Sequence, residues 1–338
     1  MTPSPELLAA SGARSGDAPV PPIPTGGGWR IIGAKELADH LSSVRFLILT
    51  AALGLAAVAS VAATSGGIRE VAQGASGSPA IFLKLFTLGS SNLPALIDWI
   101  AVLGPLLGVA FGFDAVNNER TERTLPRLLS GPIWRDDVVN GKFAGALVTI
   151  ALMLAAVLVV VAGVGVVQLG LVPQPEDILR LLVWYVVAVV YIGFWLALAT
   201  LCSVLLRRAA FSGMAAAAAW LVTAAFSTFL VGSVADVLAP APADATFEQQ
   251  LANATMRQDL SHLFPGNVFS EATQAILDPS VRTTGLVLST QVDRAVPSVL
   301  SFDQSLLVVW PQVVALIALT AICFGLAYVA FMRQEVRA

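Results

Sequence analysis

The sequence predicts an all-α integral membrane protein with six transmembrane helices. Hydrophobic residues make up 57% of its 338 residues and charged residues only 12%, and the mean hydropathy is +0.80. Soluble domains are about 25% charged, so a soluble enzyme and a disordered chain are both excluded. The formal net charge of -3 provides no basic field for a phosphate backbone, which excludes a nucleic-acid-binding protein.

Six stretches without charged residues are the candidate spans, because a helix that crosses about 30 Å of hydrocarbon needs about 20 apolar residues. Five of them are long enough outright, but the second reaches membrane length only if Asp98 and Asp114 lie at the two interfaces. An alternative with five spans would put the chain ends on opposite sides of the membrane. The predicted spans are residues 45–66, 95–116, 142–168, 181–206, 209–232 and 305–332.

The distribution of basic residues predicts that both termini face the cytoplasm. In that orientation 13 of the 19 Lys and Arg residues lie in cytoplasmic segments, which is the excess that the positive-inside rule describes. Three of the remaining six lie in a long outer loop, where basic residues have little influence on orientation.

The chain begins with a polar tail and continues into a helix at the inner membrane surface. Residues 1–28 are rich in proline, end in three glycines and have no apolar signal-peptide core, so we expect a disordered cytoplasmic tail. The six-span domain is then 29–338. Its first apolar residues, Trp29, Ile31 and Leu37, recur near helical spacing between charged ones. This pattern favours an interfacial helix; the alternative is a simple cytoplasmic extension of the first span.

The main outer segment is the extracytoplasmic loop 233–303, which contains eight acidic residues and three arginines. Part of this loop is expected to be helical, with Phe269 and Ile276 on an apolar face that could rest on the membrane. Asn253-Ala254-Thr255 fits a glycosylation sequon, so Asn253 is a candidate acceptor. So short a pattern also arises by chance.

Small residues in two spans permit close helix packing. Span three contains Gly163 and Gly165, and span five contains Ser212, Gly213 and residues 215–219. A dimer seam or a substrate path along span five is one interpretation, and ordinary packing within the chain is the other.

The sequence contains no recognisable catalytic or metal-binding set. By the predicted topology His40 and His262 lie on opposite sides of the membrane, so they cannot join one triad or one metal pair. Gly141-Lys142 resembles the end of a phosphate-binding loop, but Phe143 stands where Ser or Thr is required. We therefore expect no enzyme, no metal and no cofactor in this chain.

Charged residues are also missing from the middle of the spans. Transporters that are driven by ions or protons normally need ionisable groups at that depth. If this protein moves a substrate, we expect the energy to come from another subunit.

The loop between spans two and three is the most informative segment, because residues 111–143 contain five basic and five acidic residues. Glu119 and Arg123 are four residues apart in the order that supports a helix, so we expect span two to continue to about Thr124. Pro126 is tolerated in the first turn of a second, short helix. Three leucines would share one face of that helix: Leu125, Leu128 and Leu129. Such a face suggests a docking surface for a soluble partner; the alternative is a charged, solvated loop.

The same loop resembles the signature of type-2 ABC transporter permeases. Its matching positions are Asp114, Glu119-Arg120, Thr124-Leu125, Leu128-Leu129-Ser130, Pro132, Arg135 and Gly141-Lys142. The chain is most similar to the permease subgroup of nitrous-oxide-reductase maturation, and the resemblance extends from Trp29 to Ala338. It departs from the pattern at Arg123, where the family usually has Gly, and at Pro126, which interrupts the helix.

This resemblance implies the permease subunit of an ATP-binding cassette exporter in the plasma membrane of a bacterium or archaeon. A separate ATPase subunit would bind ATP and magnesium, and a second permease copy, identical or related, would complete a dimer within the membrane lipid. The residues implied to dock the ATPase and to couple its motion to the spans are Glu119, Arg120, Thr124, Leu125, Leu128 and Leu129. The alternative function is a membrane anchor or scaffold that recruits a soluble partner through residues 115–141 without transporting cargo.

Overall fold

The computed structural model describes residues 27–74, 80–91, 93–121, 134–242, 244–281 and 300–334. Side chains are described within these ranges except at 69–74 and 120–121. The described part of the chain is helical and contains no strand.

The described helices are numbered in chain order. They are α1 Gly28–Leu41, α2 Val44–Gly74, α3 Lys84–Thr87, α4 Leu96–Gly112, α5 Asn117–Thr121, α6 Arg135–Leu169, α7 Pro175–Leu205, α8 Ala209–Leu238, α9 Phe247–Ser261, α10 Pro265–Leu277 and α11 Phe302–Met332. Six candidate membrane spans are formed by α2, by α4 with α5, and by α6, α7, α8 and α11. For the described part of the chain, the predicted all-α class with six candidate membrane-spanning helices is therefore confirmed.

The second span is not continuous, contrary to the expectation that it runs as one helix to about Thr124. Helix α4 ends at Gly112, residues 113–116 form a turn, and α5 begins at Asn117. The Ser203 hydroxyl of α7 accepts the backbone N–H groups of Val116 (3.1 Å) and Asn117 (3.2 Å). These donors are thus satisfied outside a helix, as buried backbone groups require.

The third span begins earlier than predicted, at Arg135 instead of 142. The Asp137 carboxylate accepts the N–H of Trp134 at 3.3 Å, a contact that satisfies one of the unpaired donors at a helix start. The polar residues before Lys142 therefore belong to the first turns of α6.

Helix α7 is the centre of the bundle, and Trp184, Tyr191 and Trp195 are fully or almost fully buried along it. It contacts α4, α6, α8, α10 and α11. The contact with α4 is made at glycines: a Cβ on Gly108 would lie 2.7 Å from the carbonyl oxygen of Ile192. Glycines 104, 108 and 112 thus allow the backbones of α4 and α7 to touch, as small residues do between membrane helices.

One of the two glycines noted in the third span also makes a close contact. A Cβ on Gly165 of α6 would overlap the Leu85 side chain of α3, whereas a Cβ on Gly163 would meet no atom within 4 Å. Gly163 is therefore open.

Helix α10 lies within the bundle at the end opposite to α1, not on the membrane surface as its apolar face suggested. Phe269 and Ile276 are 0% and 2% exposed, and the helix contacts α4, α7 and α11. The Phe269 ring stacks on Tyr191 of α7 with centroids 4.3 Å apart. Its apolar face is satisfied by protein rather than by lipid.

The end of α10 and the start of α11 are joined to α7 by one buried guanidinium, that of Arg180, which is 1% exposed. It donates to the carbonyl oxygens of Ile276 (2.9 Å) and Leu300 (2.8 Å) and to the Ser305 hydroxyl (2.9 Å). The Glu176 carboxylate accepts two further bonds. The planar fork of arginine suits such multiple contacts.

Gly108→Ala is expected to destabilise the protein by about 1–3 kcal/mol, because the added methyl group must displace the α7 backbone. The measurement is unfolding of the purified protein in detergent by heat or denaturant. Gly163→Ala is the control: its methyl group enters open space, so a stabilisation of up to about 1 kcal/mol is expected from helix propensity. Equal effects of the two variants would contradict the packing described here.

Candidate functional site

Helix α1 lies across the start of α6, and both helices contribute glycines to the crossing. A Cβ on Gly141 would be 2.7 Å from Cβ of Ile32, and a Cβ on Gly145 would be 2.8 Å from the carbonyl oxygen of Gly33. Side chains at either position would push the helices apart. The spacing of four residues places Gly141 and Gly145 on the same face of α6.

The centre of the site is Lys142, whose side chain is only 9% exposed. Its Nζ lies 2.7 Å from Oε1 of Glu36 and 2.8 Å from Oε1 of Glu119, and these carboxylate side chains are 14% and 13% exposed. Ion pairs shielded from water in this way are screened less by salt than surface pairs are. We call these three residues the lysine cluster.

The lysine cluster joins three elements that are far apart in the chain. Glu36 belongs to α1, Glu119 to α5 and Lys142 to α6. Helices α5 and α6 flank residues 122–133, the segment that contains the leucines of the predicted docking surface. The cluster therefore holds both flanks of that segment to each other and to α1.

A second ion pair lies beside the cluster and connects α2 with the turn after α4. Arg45 places Nη2 2.9 Å from Oδ2 of Asp114 and Nη1 3.3 Å from Oδ1, the two-pronged arrangement that makes such pairs strong. The same Nη1 donates to the carbonyl oxygen of Ala110 at 2.7 Å. This pair fixes the start of α2 against the end of α4.

The Asp137 carboxylate links the first turns of two helices. It accepts the backbone N–H of Trp29 in α1 at 3.0 Å, in addition to that of Trp134 before α6. A carboxylate at helix N-termini also interacts favourably with their dipoles. Helix α1 is thus held to α6 at Trp29 as well as at Glu36.

His40 lies between the lysine cluster and the ion pair of Arg45 with Asp114. Its Nε2 is 3.9 Å from Oε2 of Glu36, and its ring meets Phe111 edge-on with centroids 5.1 Å apart. Burial lowers the pKa of His40 from its usual 6.5, and the cations of Arg45 and Lys142 act in the same direction, against the carboxylates of Glu36 and Asp114. The folded protein therefore favours the neutral imidazole.

The structure describes only part of the predicted docking set. Glu119 lies in α5 and belongs to the lysine cluster, and the backbone of Arg120 is in the same helix. Thr124, Leu125, Leu128 and Leu129 lie outside the described residues. The docking role of all six residues stays a prediction.

Asn253, the predicted glycosylation acceptor, is 6% exposed. Its Nδ2 donates to Oδ1 of Asp236 (2.9 Å) and to the carbonyl oxygen of Ala239 (2.7 Å), and its Oδ1 accepts a bond from Arg257 (2.7 Å). Glycosylation would have to break these contacts, and it stays a prediction.

Sequence reasoning missed Glu36, Arg45 and the pairing of Lys142. The loop motif includes Lys142 without indicating a partner for it, although a lysine at the start of a long apolar stretch needs a partner if it is buried. The glycines at 141 and 145 were an available signal of a helix crossing. In the part of the chain that is described, no three His, Cys, Asp or Glu side chains come together as metal ligands.

Lys142→Met is expected to cost about 3–5 kcal/mol of folding free energy, because it leaves two shielded carboxylates without their cation. Lys35→Met is the matched control, since Lys35 is 68% exposed and its pair with Asp39 is worth less than about 1 kcal/mol. Adding Glu36→Gln and Glu119→Gln to Lys142→Met removes every charge of the lysine cluster, so this triple variant should regain most of the lost stability. Unfolding in detergent measures all three proteins, and no recovery in the triple variant would contradict this account.

Acid is expected to destabilise the protein through His40. Because the pKa of His40 is lower in the folded than in the unfolded state, its stabilising contribution is present above about pH 6.5 and is lost as the pH falls below that value. The melting temperature should therefore fall less on acidification in His40→Gln than in the wild type. Parallel pH profiles of the two proteins would show that His40 does not contribute.

Comparison with known proteins identifies the family. Residues 30–336 match the family described as ABC-2 family transporter protein, a range that begins within α1 and includes all six candidate spans and the lysine cluster. No curated protein gives a significant match. With a family match over most of its length and six helices able to span a membrane, this chain belongs to the ABC-2 transporter family, as a multi-pass membrane permease component of an ABC transporter.

Proposed function

We propose that the chain is the permease subunit of an ABC exporter in which a separate ATPase subunit hydrolyses ATP. The observation that carries this proposal is the family match over residues 30–336, which spans the whole membrane domain. The proposal includes a cytoplasmic location for both termini, a second permease copy, and the plasma membrane of a bacterium or archaeon. It also includes the subgroup of nitrous-oxide-reductase maturation, supported by the motif residues of the loop between the second and third spans.

The proposed docking and coupling residues are Glu119, Arg120, Thr124, Leu125, Leu128 and Leu129, and the leucines among them lie in the segment 122–133. The ion contacts on either side of it support a role in force transmission. Glu119 and Lys142 hold the two flanks together at 2.8 Å, so a push on the segment would reach α5 and α6 jointly. A solvated loop without a partner would not need its two flanking helices to be joined by a shielded ion pair.

Magnesium and ATP belong to the partner in this proposal. The permease contributes the surface that receives the ATPase and the helices that move. ATP-driven closure of two ATPase subunits would press on residues 122–133 and tilt the second and third spans.

Leu128→Asp and Leu129→Asp are expected to weaken binding of the ATPase by about 2 kcal/mol or more, the effect of losing a central interface residue. Each places a charge where apolar contact is proposed. Co-purification of the ATPase with the tagged permease, followed by its ATPase activity, measures the loss. Leu263→Asp is the control, because Leu263 is 71% exposed and lies near α10, at the other end of the bundle.

Full ATPase binding and activity in both variants would show that docking occurs elsewhere. If the wild-type chain binds a soluble protein without a nucleotide site, the anchor or scaffold function would replace this proposal.

A further inference from the structure

Helix α1 lies outside the segment proposed to receive the ATPase, yet the lysine cluster ties it to both flanks of that segment. We propose that Glu36 is a positioning residue for coupling: through Lys142 it holds α1 on α6, so that the two move as one body when the ATPase presses on residues 122–133. The proposal rests on the proposed function and extends it to a helix that the docking segment does not include.

The first argument is that α1 is held to α6 at two separate points. Asp137 accepts the N–H of Trp29 at 3.0 Å, and Lys142 binds Glu36 at 2.7 Å. Trp29 and Glu36 are about two helical turns apart, or roughly 10 Å along the axis. Two anchors at that separation prevent α1 from swinging about either one.

The second argument is that the surface between the anchors is closely packed. Between Trp29 and Glu36, Gly33 meets Gly145, and Ile32, which is 8% exposed, meets Gly141. Interdigitated helices of this kind transmit displacement because close-packed interiors are hardly compressible.

The third argument is that the neighbouring helix α2 is anchored elsewhere. Arg45 at its start binds Asp114 and the carbonyl oxygen of Ala110, so the start of α2 follows the end of α4. Residues 42 and 43 connect α1 to α2. Across this two-residue connection, α1 is therefore held to α6 by Glu36, while the start of α2 is held to the end of α4 by Arg45.

Glu36→Gln tests this role without removing the cation's last carboxylate. The variant keeps an acceptor oxygen of the same shape, and Glu119 remains at 2.8 Å from Lys142, so the protein should still fold. Only the ionic link between α1 and α6 is lost. Lys35→Gln is the matched control: it removes the cation of an exposed ion pair on the same helix, where the side chains of Lys35 and Asp39 are 68% and 60% exposed.

The experiment measures distances between spin labels in the complex of permease and ATPase, reconstituted in lipid nanodiscs, with and without trapped ATP. One pair joins Ile31 of α1 to Val148 of α6, and the other joins Ile31 to Met214 of α8; all three side chains are exposed. Cys202 and Cys323 are first replaced by alanine. In the wild type, ATP should leave the first distance unchanged and shift the second.

In Glu36→Gln the first distance distribution should broaden on ATP binding, and the ATPase activity of the complex should fall below half that of the wild type. Glu36→Asp, which keeps the charge, should recover part of the lost ATPase activity, and Lys35→Gln should match the wild type. A wild-type shift between Ile31 and Val148, or an unaffected Glu36→Gln variant, would overturn the proposal while leaving ATPase docking intact. Failure of the wild type to bind the ATPase would refute the proposed function and this proposal with it.

Discussion

The ion contacts of the Lys142 ammonium group organise the end of the bundle at which α1, α5 and the start of α6 meet. A lysine so little exposed is tolerated only if carboxylates replace its water, and Glu36 and Glu119 do so from two other helices. Three consequences follow from that one requirement. Helix α1 is held against α6, and α5 is held beside both. The two helices that flank residues 122–133 are therefore fixed relative to each other.

The opposite end of the bundle is organised by the same physical principle with a different cation. The Arg180 guanidinium donates hydrogen bonds to the end of α10, to the start of α11 and to the carboxylate of Glu176. Between these two charged ends, packing is apolar and depends on glycine, as at Gly108 against α7. The molecule thus has a closely packed middle and two ends in which single cations join several elements.

This division suits the proposed function, in which a separate ATPase subunit supplies the energy. In the proposed function, the ion contacts of Lys142 hold α1, α5 and α6 together, so that displacement by the ATPase would pass into the spans. Helix α4 ends at Gly112, and the backbone N–H groups of Val116 and Asn117 are satisfied by the Ser203 hydroxyl of α7. The family match identifies a membrane component of an ABC transporter, and the ion contacts show how the helices beside residues 122–133 are held together.

The sequence by itself determined the six candidate spans and the ABC transporter permease family, because both depend on local properties: uncharged stretches of about 20 residues and a motif within one loop. It also predicted a docking and coupling role for Glu119, which the structure places beside Lys142. It could not pair Lys142 with Glu36, which is more than 100 residues away, nor show that α10 is buried or that α4 stops at Gly112. Those features were decided by the tertiary structure, since they depend on which helices cross and how closely their glycines let the backbones approach.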